Sequence, residues 1–140
     1  MVNNAGIAID VDGLAARPGG NRIHETATET FDLTMNINVR GVFLGCKYAI
    51  AQFLKQDPLP VNSRGDFTRG WIVNTASAGG LVALVSAPSY ITSKHAVVGM
   101  TKQVAIDYAK DKIHCNALCP SCEFIIPEFI YCILHYSGQG

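Results

Sequence analysis

Apolar residues recur every three or four positions over two long stretches of this 140-residue chain. That spacing is typical of an α-helix with one buried face. The first stretch predicts a helix from about residue 29 to residue 56, capped by Thr28 and interrupted near its middle by Asn36 and Asn38. Its apolar positions are Phe31, Met35, Val39, Val42, Phe43, Cys46, Ile50 and Phe53.

The second stretch predicts a helix over residues 89–110, and three apolar runs predict strands around the two helices. Residues 1–6 contain the end of a strand and the loop that follows it. The continuous run 71–76 is typical of a strand buried on both faces, and the strand at 113–118 is stopped by Pro120. This alternation is the order of right-handed βαβ units, so the pattern predicts an α/β fold: a parallel sheet with flanking helices.

The connecting segments are polar or rich in small residues. Residues 7–28 form a predicted loop with its clearest turn signal at residues 18–21. The glycines of this loop lack the G-x-G-x-x-G spacing and follow no strand, so we interpret it as a solvated loop and not a phosphate-binding turn. Residues 57–70 and 77–86 are further predicted loops, whereas 121–140 is an atypical tail that matches neither the helical nor the strand period.

The composition indicates one globular domain and excludes some classes of function. Hydrophobic residues make up 49% of the chain and charged residues 16%, which is too apolar for a disordered segment. Eleven basic residues balance eleven acidic ones without a basic cluster, so nucleic-acid binding is not expected. No apolar run is long enough to span a membrane, and no secretory signal precedes the first loop. We therefore expect a cytoplasmic protein.

The cysteines allow two interpretations. Cys115, Cys119 and Cys122 lie close together, with His114 adjacent and Cys132 downstream, in an arrangement that a metal cluster could use. A strand points neighbouring residues to opposite faces, however, which separates these ligands. We therefore favour reduced, buried thiols and expect no metal, with the metal cluster as the second interpretation.

The candidate chemistry lies in Ser77, Tyr90 and Lys94. Tyr90 and Lys94 are four residues apart, so on a helix both side chains project from one face. A cation at that position would favour the phenolate form and lower the tyrosine pKa, which suits acid/base chemistry. Ser77 follows an apolar strand, where its hydroxyl can face a cleft at the carboxyl end of the sheet. Taken singly, each residue also fits a purely structural role: Tyr90 as a boundary aromatic residue, Lys94 as a solvated helix residue and Ser77 as a cap at the start of a loop.

Five sequence blocks support the functional interpretation because they occur in a fixed order. An isolated Tyr-x-x-x-Lys motif is weak, but here Ser77 precedes Tyr90 by thirteen residues and three other blocks accompany them. Over residues 1–120 the chain resembles the classical short-chain dehydrogenase/reductase family. The blocks are Asn3-Asn4-Ala5-Gly6, Asn38-Val-Arg-Gly-Val-Phe, Ile72-Val-Asn-Thr-Ala-Ser77, Tyr90-Ile-Thr-Ser-Lys94 and Asn116-Ala-Leu-Cys-Pro120.

The resemblance implies a catalytic role for four residues. Tyr90 would be the general acid/base while a hydride moves to or from a nicotinamide. Lys94 would lower the pKa of Tyr90 and bind the nicotinamide ribose, and Ser77 would orient the substrate oxygen. Asn38 would hold a water in the proton relay to Lys94. On pattern alone we would interpret Asn38 as a locally bonded or solvent-facing residue, and the resemblance replaces that interpretation.

The resemblance also implies ligands and partners. Asn3, Ala5 and Gly6 would line the adenine-ribose side of a cleft for NAD or NADP, and Pro120 would add to the cofactor site. The substrate would be a small alcohol or carbonyl compound. Members of the family pair through two long helices, so a homodimer or tetramer is implied if the full domain is present.

The chain departs from the family pattern at both ends. It lacks the first strand and Gly-rich turn, and Pro120-Ser121-Cys122 replaces the usual Pro-Gly. We therefore expect the second half of a Rossmann-like doubly wound fold, with residues 1–120 as a partial domain. We also expect that the final strand is missing and that an exposed strand edge remains. The alternative function is a catalytically inactive fragment that associates through its helices at most.

Overall fold

Strands and helices alternate along the chain, as the hydrophobic pattern predicts. The computed structural model describes residues 1–12, 22–121 and 131–134. The elements in chain order are β1 (Val2–Asn3), α1 (Ile9–Asp12), α2 (Thr28–Met35), a π-helical turn (Asn36–Arg40), α3 (Gly41–Phe53), β2 (Leu59–Pro60), β3 (Phe67–Thr68), β4 (Gly70–Thr75), a 3₁₀ turn (Ala78–Gly80), α4 (Pro88–Asp107), β5 (Ile113–Pro120) and β6 (Tyr131–Leu134).

Four of the strands form one sheet in the order β1-β4-β5-β6. Both β1 and β5 lie parallel to β4, with Val2 opposite Val73. The predicted α/β fold, a partial Rossmann-like parallel sheet with flanking helices, is therefore confirmed. Strand β6 runs antiparallel to β5 and places Cys132 opposite Cys119. The atypical tail at 121–140 thus contains a strand that its sequence pattern does not indicate, because the short run 131–134 is rich in residues that favour strands and pairs with the edge of β5.

The first long helix forms in three consecutive segments, α2, the π-turn and α3. The asparagines Asn36 and Asn38 lie in the π-turn, so the predicted interruption of the helix is confirmed. The predicted cap at Thr28 is wrong by one residue. Ala27 occupies the N-cap with extended backbone and no side-chain hydrogen bond, and Thr28 is the first helical residue. Its hydroxyl therefore takes no part in capping.

The predicted loops contain three short structures that the sequence pattern does not show. The loop at 7–28 contains the helix α1. Within residues 57–70, β2 and β3 pair as an antiparallel ladder with Leu59 opposite Thr68. The loop at 77–86 contains the 3₁₀ turn. All three are too short for a periodic pattern to reveal. The predicted turn at residues 18–21 lies outside the described part of the chain.

Burial alternates along β4, so the prediction that this strand is buried on both faces is wrong. Ile72 and Asn74 lie on one face of the sheet and are fully buried. Trp71, which precedes Ile72 and points to the opposite face, is 48% exposed. Helices α3 and α4 pack against the buried face, and the opposite face carries no helix within the residues described. The core consists of Val42, Cys46, Ile50, Ile72, Ala76, Val97, Val98, Ala105, Ile113, Cys115, Ala117 and Cys119.

One buried amide ties the sheet to both helices at the centre of this core. The Asn74 side chain accepts a hydrogen bond of 2.8 Å from Asn3 Nδ2 and donates one of 3.0 Å to Thr101 Oγ1. It also contacts the thiols of Cys46 and Cys115 at 3.6 and 3.5 Å. A buried polar group without partners is costly, so these bonds fix the relative placement of β1, β4, β5, α3 and α4.

The thiols that the structure describes lie in the core. Cys46, Cys115 and Cys119 are buried and outside any disulfide. Within the described ranges, no group of three or more His, Cys, Asp or Glu side chains could hold a metal. Cys122 and the side chain of Cys132 fall outside those ranges. No described helix is long and apolar enough to cross a membrane.

Glycine at position 45 allows α3 to lie close to β1. A Cβ at Gly45 would overlap the Asn3 carboxamide, whereas a Cβ at Gly41 in the same helix would have open space around it. The amide network around Asn74 therefore depends on the missing side chain at position 45.

We expect Gly45→Ala to lower the free energy of unfolding by about 2 kcal/mol, because the added methyl displaces Asn3 from Asn74. The matched variant Gly41→Ala should raise it by about 0.5 kcal/mol through better helix propensity. Urea denaturation of the three proteins measures both changes. Equal effects of the two variants would contradict this account of the β1–α3 contact.

Candidate active site

The first two turns of α4 carry the tyrosine and the lysine. Pro88 is the first helical residue, and the helix continues without interruption through Tyr90 and Lys94. The Lys94 ammonium lies 5.6 Å from the centre of the Tyr90 ring. The two side chains therefore share one helix face, as their spacing predicts. Tyr90 is half-buried, so part of the residue remains open to solvent.

Lys94 is held in place and is almost fully buried. Its side chain is 6% exposed, and Nζ donates a 2.9 Å hydrogen bond to the carbonyl oxygen of Thr75 at the end of β4. Burial lowers the pKa of Lys94 from its usual 10.5, and the nearby Cys119 raises it by a smaller amount. The ammonium is therefore fixed at the carboxyl end of the sheet.

Ser77 faces Tyr90 across the 3₁₀ turn. The Ser77 backbone is extended, and its Oγ accepts a 3.1 Å hydrogen bond from the Gly79 amide. A Cβ at Gly79 would lie 3.5 Å from both Ser77 Oγ and Tyr90 Cε1. The hydroxyl and the phenol ring thus flank the same glycine. The closest atom to such a Cβ is Ile91 Cδ1 at 2.8 Å, so a larger residue at position 79 would displace the end of the Ile91 side chain.

Asn38 joins the π-turn to two other segments. Its Oδ1 accepts from the Ile7 amide at 2.8 Å, and its Nδ2 donates to the Ile7 carbonyl at 2.8 Å and to Ser93 Oγ at 3.0 Å. The side chain is 1% exposed. Asn38 is therefore neither solvent-facing nor bonded within its own helix. The π-turn widens the helix by one residue here, which is a common feature of functional sites.

The residues expected to hold a cofactor divide into two groups. Ala5 and Gly6 are exposed just beyond β1, and a Cβ at Gly6 would lie 3.3 Å from Asn38 Oδ1 and 3.5 Å from Lys94 Nζ. The Asn3 side chain points instead into the core, where it bonds Asn74. Pro120 ends β5 opposite Tyr131 of β6. Bare backbone beside an ammonium can accept a polar ligand at close range.

Sequence reasoning missed two residues that support the site. Ser93 donates a 2.7 Å hydrogen bond to the Tyr90 carbonyl and accepts from Asn38, and Thr75 provides the carbonyl that binds Lys94. Position 93 lies three residues after Tyr90, so the helical period places it beside the tyrosine. The Thr75 contact is made by backbone, and side-chain patterns give no sign of it.

The chain matches a protein-family model described as short chain dehydrogenase over residues 1–123. It is 42% identical over 120 residues to 2-(R)-hydroxypropyl-CoM dehydrogenase from Xanthobacter autotrophicus, which covers 86% of this chain and 41% of that protein. The chain spans about two-fifths of the length of the curated relatives it matches.

Solved structures show the same likeness. ElxO with NADP bound superposes with a TM-score of 0.66 and 32% identity, covering 86% of this chain and 40% of ElxO. 4-hydroxyisoleucine dehydrogenase complexed with NADH and succinate gives a TM-score of 0.63 and 26% identity, covering 86% of this chain and 47% of that enzyme. The match of the family model over most of the chain, together with these identities, leads to one conclusion: the chain belongs to the short-chain dehydrogenase family.

Proposed function

We propose that the chain carries the catalytic centre of an NAD(P)-dependent oxidoreductase that interconverts a secondary alcohol and a carbonyl compound. One observation carries this proposal: Ser77, Tyr90 and the buried ammonium of Lys94 converge at the carboxyl end of the sheet, beside the exposed backbone at Gly6. The carboxyl ends of parallel strands are the usual ligand site of such folds. The alternative, an inactive fragment, does not explain why these groups converge at one place.

Tyr90 is the proposed acid/base. During reduction its phenol donates a proton to the carbonyl oxygen of the substrate, and during oxidation the phenolate accepts the proton of the alcohol. Ser77 donates a hydrogen bond to the same oxygen and stabilises its developing negative charge. The 3₁₀ turn fixes the Ser77 hydroxyl on the side of Gly79 that Tyr90 faces.

Lys94 and Asn38 are the proposed supporting members of the site. The Lys94 ammonium stabilises negative charge on the neighbouring phenol oxygen and can donate to ribose hydroxyls. Asn38 holds the Ile7 backbone and Ser93, which keeps the segment after β1 close to α4. A water between Asn38 and Lys94, which both face Gly6, would complete a proton path to solvent.

The proposed cofactor is NAD or NADP. When bound, its nicotinamide supplies or accepts the hydride that accompanies the proton of Tyr90. Two similar solved structures hold NADP or NADH, which supports this class of cofactor without choosing between them. Ala5 and Gly6 would line the adenine-ribose side of such a molecule, Lys94 would bind its nicotinamide ribose, and Pro120 would add to the site from the end of β5. Asn3 supports the cofactor side of the sheet indirectly, because its side chain holds β1 against β4 through the hydrogen bond to Asn74.

The outer faces of α3 and α4 are the proposed interface with a second copy of the chain. A groove of about 370 Å³ lies between them, and Phe43 at its border is 52% exposed. Exposed aromatic side chains beside an apolar groove are typical of an interface. The groove is lined by Phe43, Cys46, Lys47, Ile50, Met100, Gln103, Val104, Asp107 and Tyr108.

We expect Tyr90→Phe to lower turnover of a secondary alcohol or its ketone at least about 100-fold, because it removes the group that transfers the proton. Binding of NADH or NADPH, followed by nicotinamide fluorescence, should stay within about threefold of the unmodified chain. Tyr48→Phe is the matched control, because Tyr48 is 66% exposed on α3 and should retain full turnover. Full turnover by Tyr90→Phe would refute the assignment, and a chain without saturable NADH or NADPH binding would favour the inactive fragment.

We expect the free energy of unfolding of Lys94→Met at neutral pH to be no more than about 1 kcal/mol below that of the unmodified chain. The substitution removes a buried charge but keeps the volume of the side chain. The folded chain binds the Lys94 proton more weakly than the unfolded chain. Stability should therefore rise as the pH increases through the lowered pKa towards 10.5, and Lys94→Met should lack this rise. Denaturation across this pH range measures both effects, and identical pH profiles would contradict the buried ammonium.

We expect Phe43→Arg to convert an assembled protein to monomers, because a charge in the apolar groove opposes burial against a second copy. Tyr48→Arg places the same charge on an exposed position of α3 outside the groove and should leave the assembly intact. Sedimentation velocity measures the molecular mass of each variant. Assembly by Phe43→Arg, or a monomeric unmodified chain at high concentration, would contradict this interface.

A further inference from the structure

Helix α4 begins without a cap from its own chain segment. Its N-cap residue is Ala87, which has no side-chain oxygen and makes no capping hydrogen bond. An N-cap side chain ordinarily binds the amides of the second and third helical residues. In α4 these are the amides of Ser89 and of Tyr90, the proposed acid/base. The first turn of this helix therefore needs an acceptor from elsewhere in the fold.

Asp10 supplies that acceptor from the segment after β1. Its Oδ2 accepts hydrogen bonds of 2.7 Å from the Ser89 amide and 3.1 Å from the Tyr90 amide. Asp10 lies in the short helix α1, which packs against α4. Only 1% of the residue is exposed. A single carboxylate oxygen, almost eighty residues away in sequence, thus occupies the place of the N-cap side chain.

The carboxylate occupies this position despite an unfavourable environment. The other Asp10 oxygen, Oδ1, and the neighbouring Ser89 hydroxyl are buried and have no hydrogen-bond partner among the described residues. Leaving such atoms unpaired is destabilising. The positive end of the α4 dipole and the two charge-assisted hydrogen bonds offset this, and both act only when Asp10 faces the first turn of α4. The surroundings therefore permit one placement of the carboxylate.

Tyr90 is consequently held from both sides of its backbone. Asp10 binds its amide, and Ser93 binds its carbonyl oxygen at 2.7 Å. Ser93 in turn accepts from Asn38, which is bonded to Ile7 in the same segment as Asp10. The first turn of a helix frays easily when its amides are free. These contacts remove that freedom at the residue where a small displacement of the phenol matters most.

We propose that Asp10 is a positioning residue for Tyr90. It caps α4 across the fold and fixes the ring of Tyr90 relative to Ser77 and Lys94, without touching substrate. The importance of this placement for catalysis rests on the proposed function of Tyr90. The placement of Tyr90 by Asp10 is a physical claim that can be tested without turnover.

The test compares Asp10→Ala and Asp10→Asn with the unmodified chain, using Asp57→Ala, at an exposed acidic position in a loop, as the control. Hydrogen exchange of the Ser89 and Tyr90 amides measures the cap. The ring signals of isotopically labelled tyrosine measure placement, with Tyr90 assigned by the signal lost in Tyr90→Phe. The amide of Val97, in the buried middle of α4, reports on the rest of the helix.

In Asp10→Ala, we expect the Ser89 and Tyr90 amides to exchange about tenfold faster, with little change at Val97. The Tyr90 ring signal should move towards that of the exposed Tyr48. Asp10→Asn keeps a side-chain oxygen acceptor, so both readouts should return most of the way to those of the unmodified chain. Asp57→Ala should change neither. If Asp10→Ala does not fold, Asp10→Ser replaces it, because the shorter serine side chain cannot reach the amides of both Ser89 and Tyr90.

Two results would overturn the proposal. Unchanged exchange at Ser89 and Tyr90 would show that Asp10 does not cap α4. Faster exchange with an unmoved Tyr90 ring signal would reduce Asp10 to a structural cap without a positioning role. Full turnover by Tyr90→Phe would instead refute the proposed function and leave both of these readouts unaffected, so the two failures can be distinguished.

Discussion

The buried carboxamide of Asn38 is the interaction on which the arrangement of the site depends. A side-chain amide removed from water must satisfy both its oxygen and its nitrogen, and Asn38 does so with the Ile7 backbone and the Ser93 hydroxyl. This requirement joins the segment after β1 to the π-turn and to α4. The same segment then carries Asp10 to the first turn of α4, where it binds the Tyr90 amide. Three distant parts of the chain are thus fixed around the tyrosine.

The supporting layer beneath the site uses the same principle. Asn74 lies in the core with Asn3 on one side and Thr101 on the other, and its bonds cross from β1 through β4 to α4. Gly45 allows α3 to approach close enough for Asn3 to keep its place. Lys94 lies above this layer with its ammonium on the Thr75 carbonyl. The polar groups of the interior therefore determine the geometry, while the apolar core provides the burial that makes each hydrogen bond specific.

Much of the fold follows from periodicity alone, because βαβ units repeat a simple pattern of burial. The spacing of Tyr90 and Lys94 predicts a shared helix face, and the interruption at Asn36 and Asn38 becomes the π-turn. The resemblance, rather than the pattern, separates Asn38 from an ordinary polar helix residue. The strand at residues 131–134 could not be predicted, since four residues are too few for a period and its pairing is set by the edge of β5. Asp10 was equally hidden, because a cap supplied from a remote segment leaves no local sequence signal.

We infer that hydrogen bonds within the chain assemble the site before any ligand binds. Nuclear magnetic resonance of the isotopically labelled chain can test this through the side-chain amide of Asn38 and the backbone amide of Ile7. Both should exchange slowly with solvent, at rates close to those of amides in the middle of α4, because each is bonded in the interior. Exchange as fast as that of the exposed Asn4 carboxamide would contradict the claim and show that the segment after β1 is not held against α4.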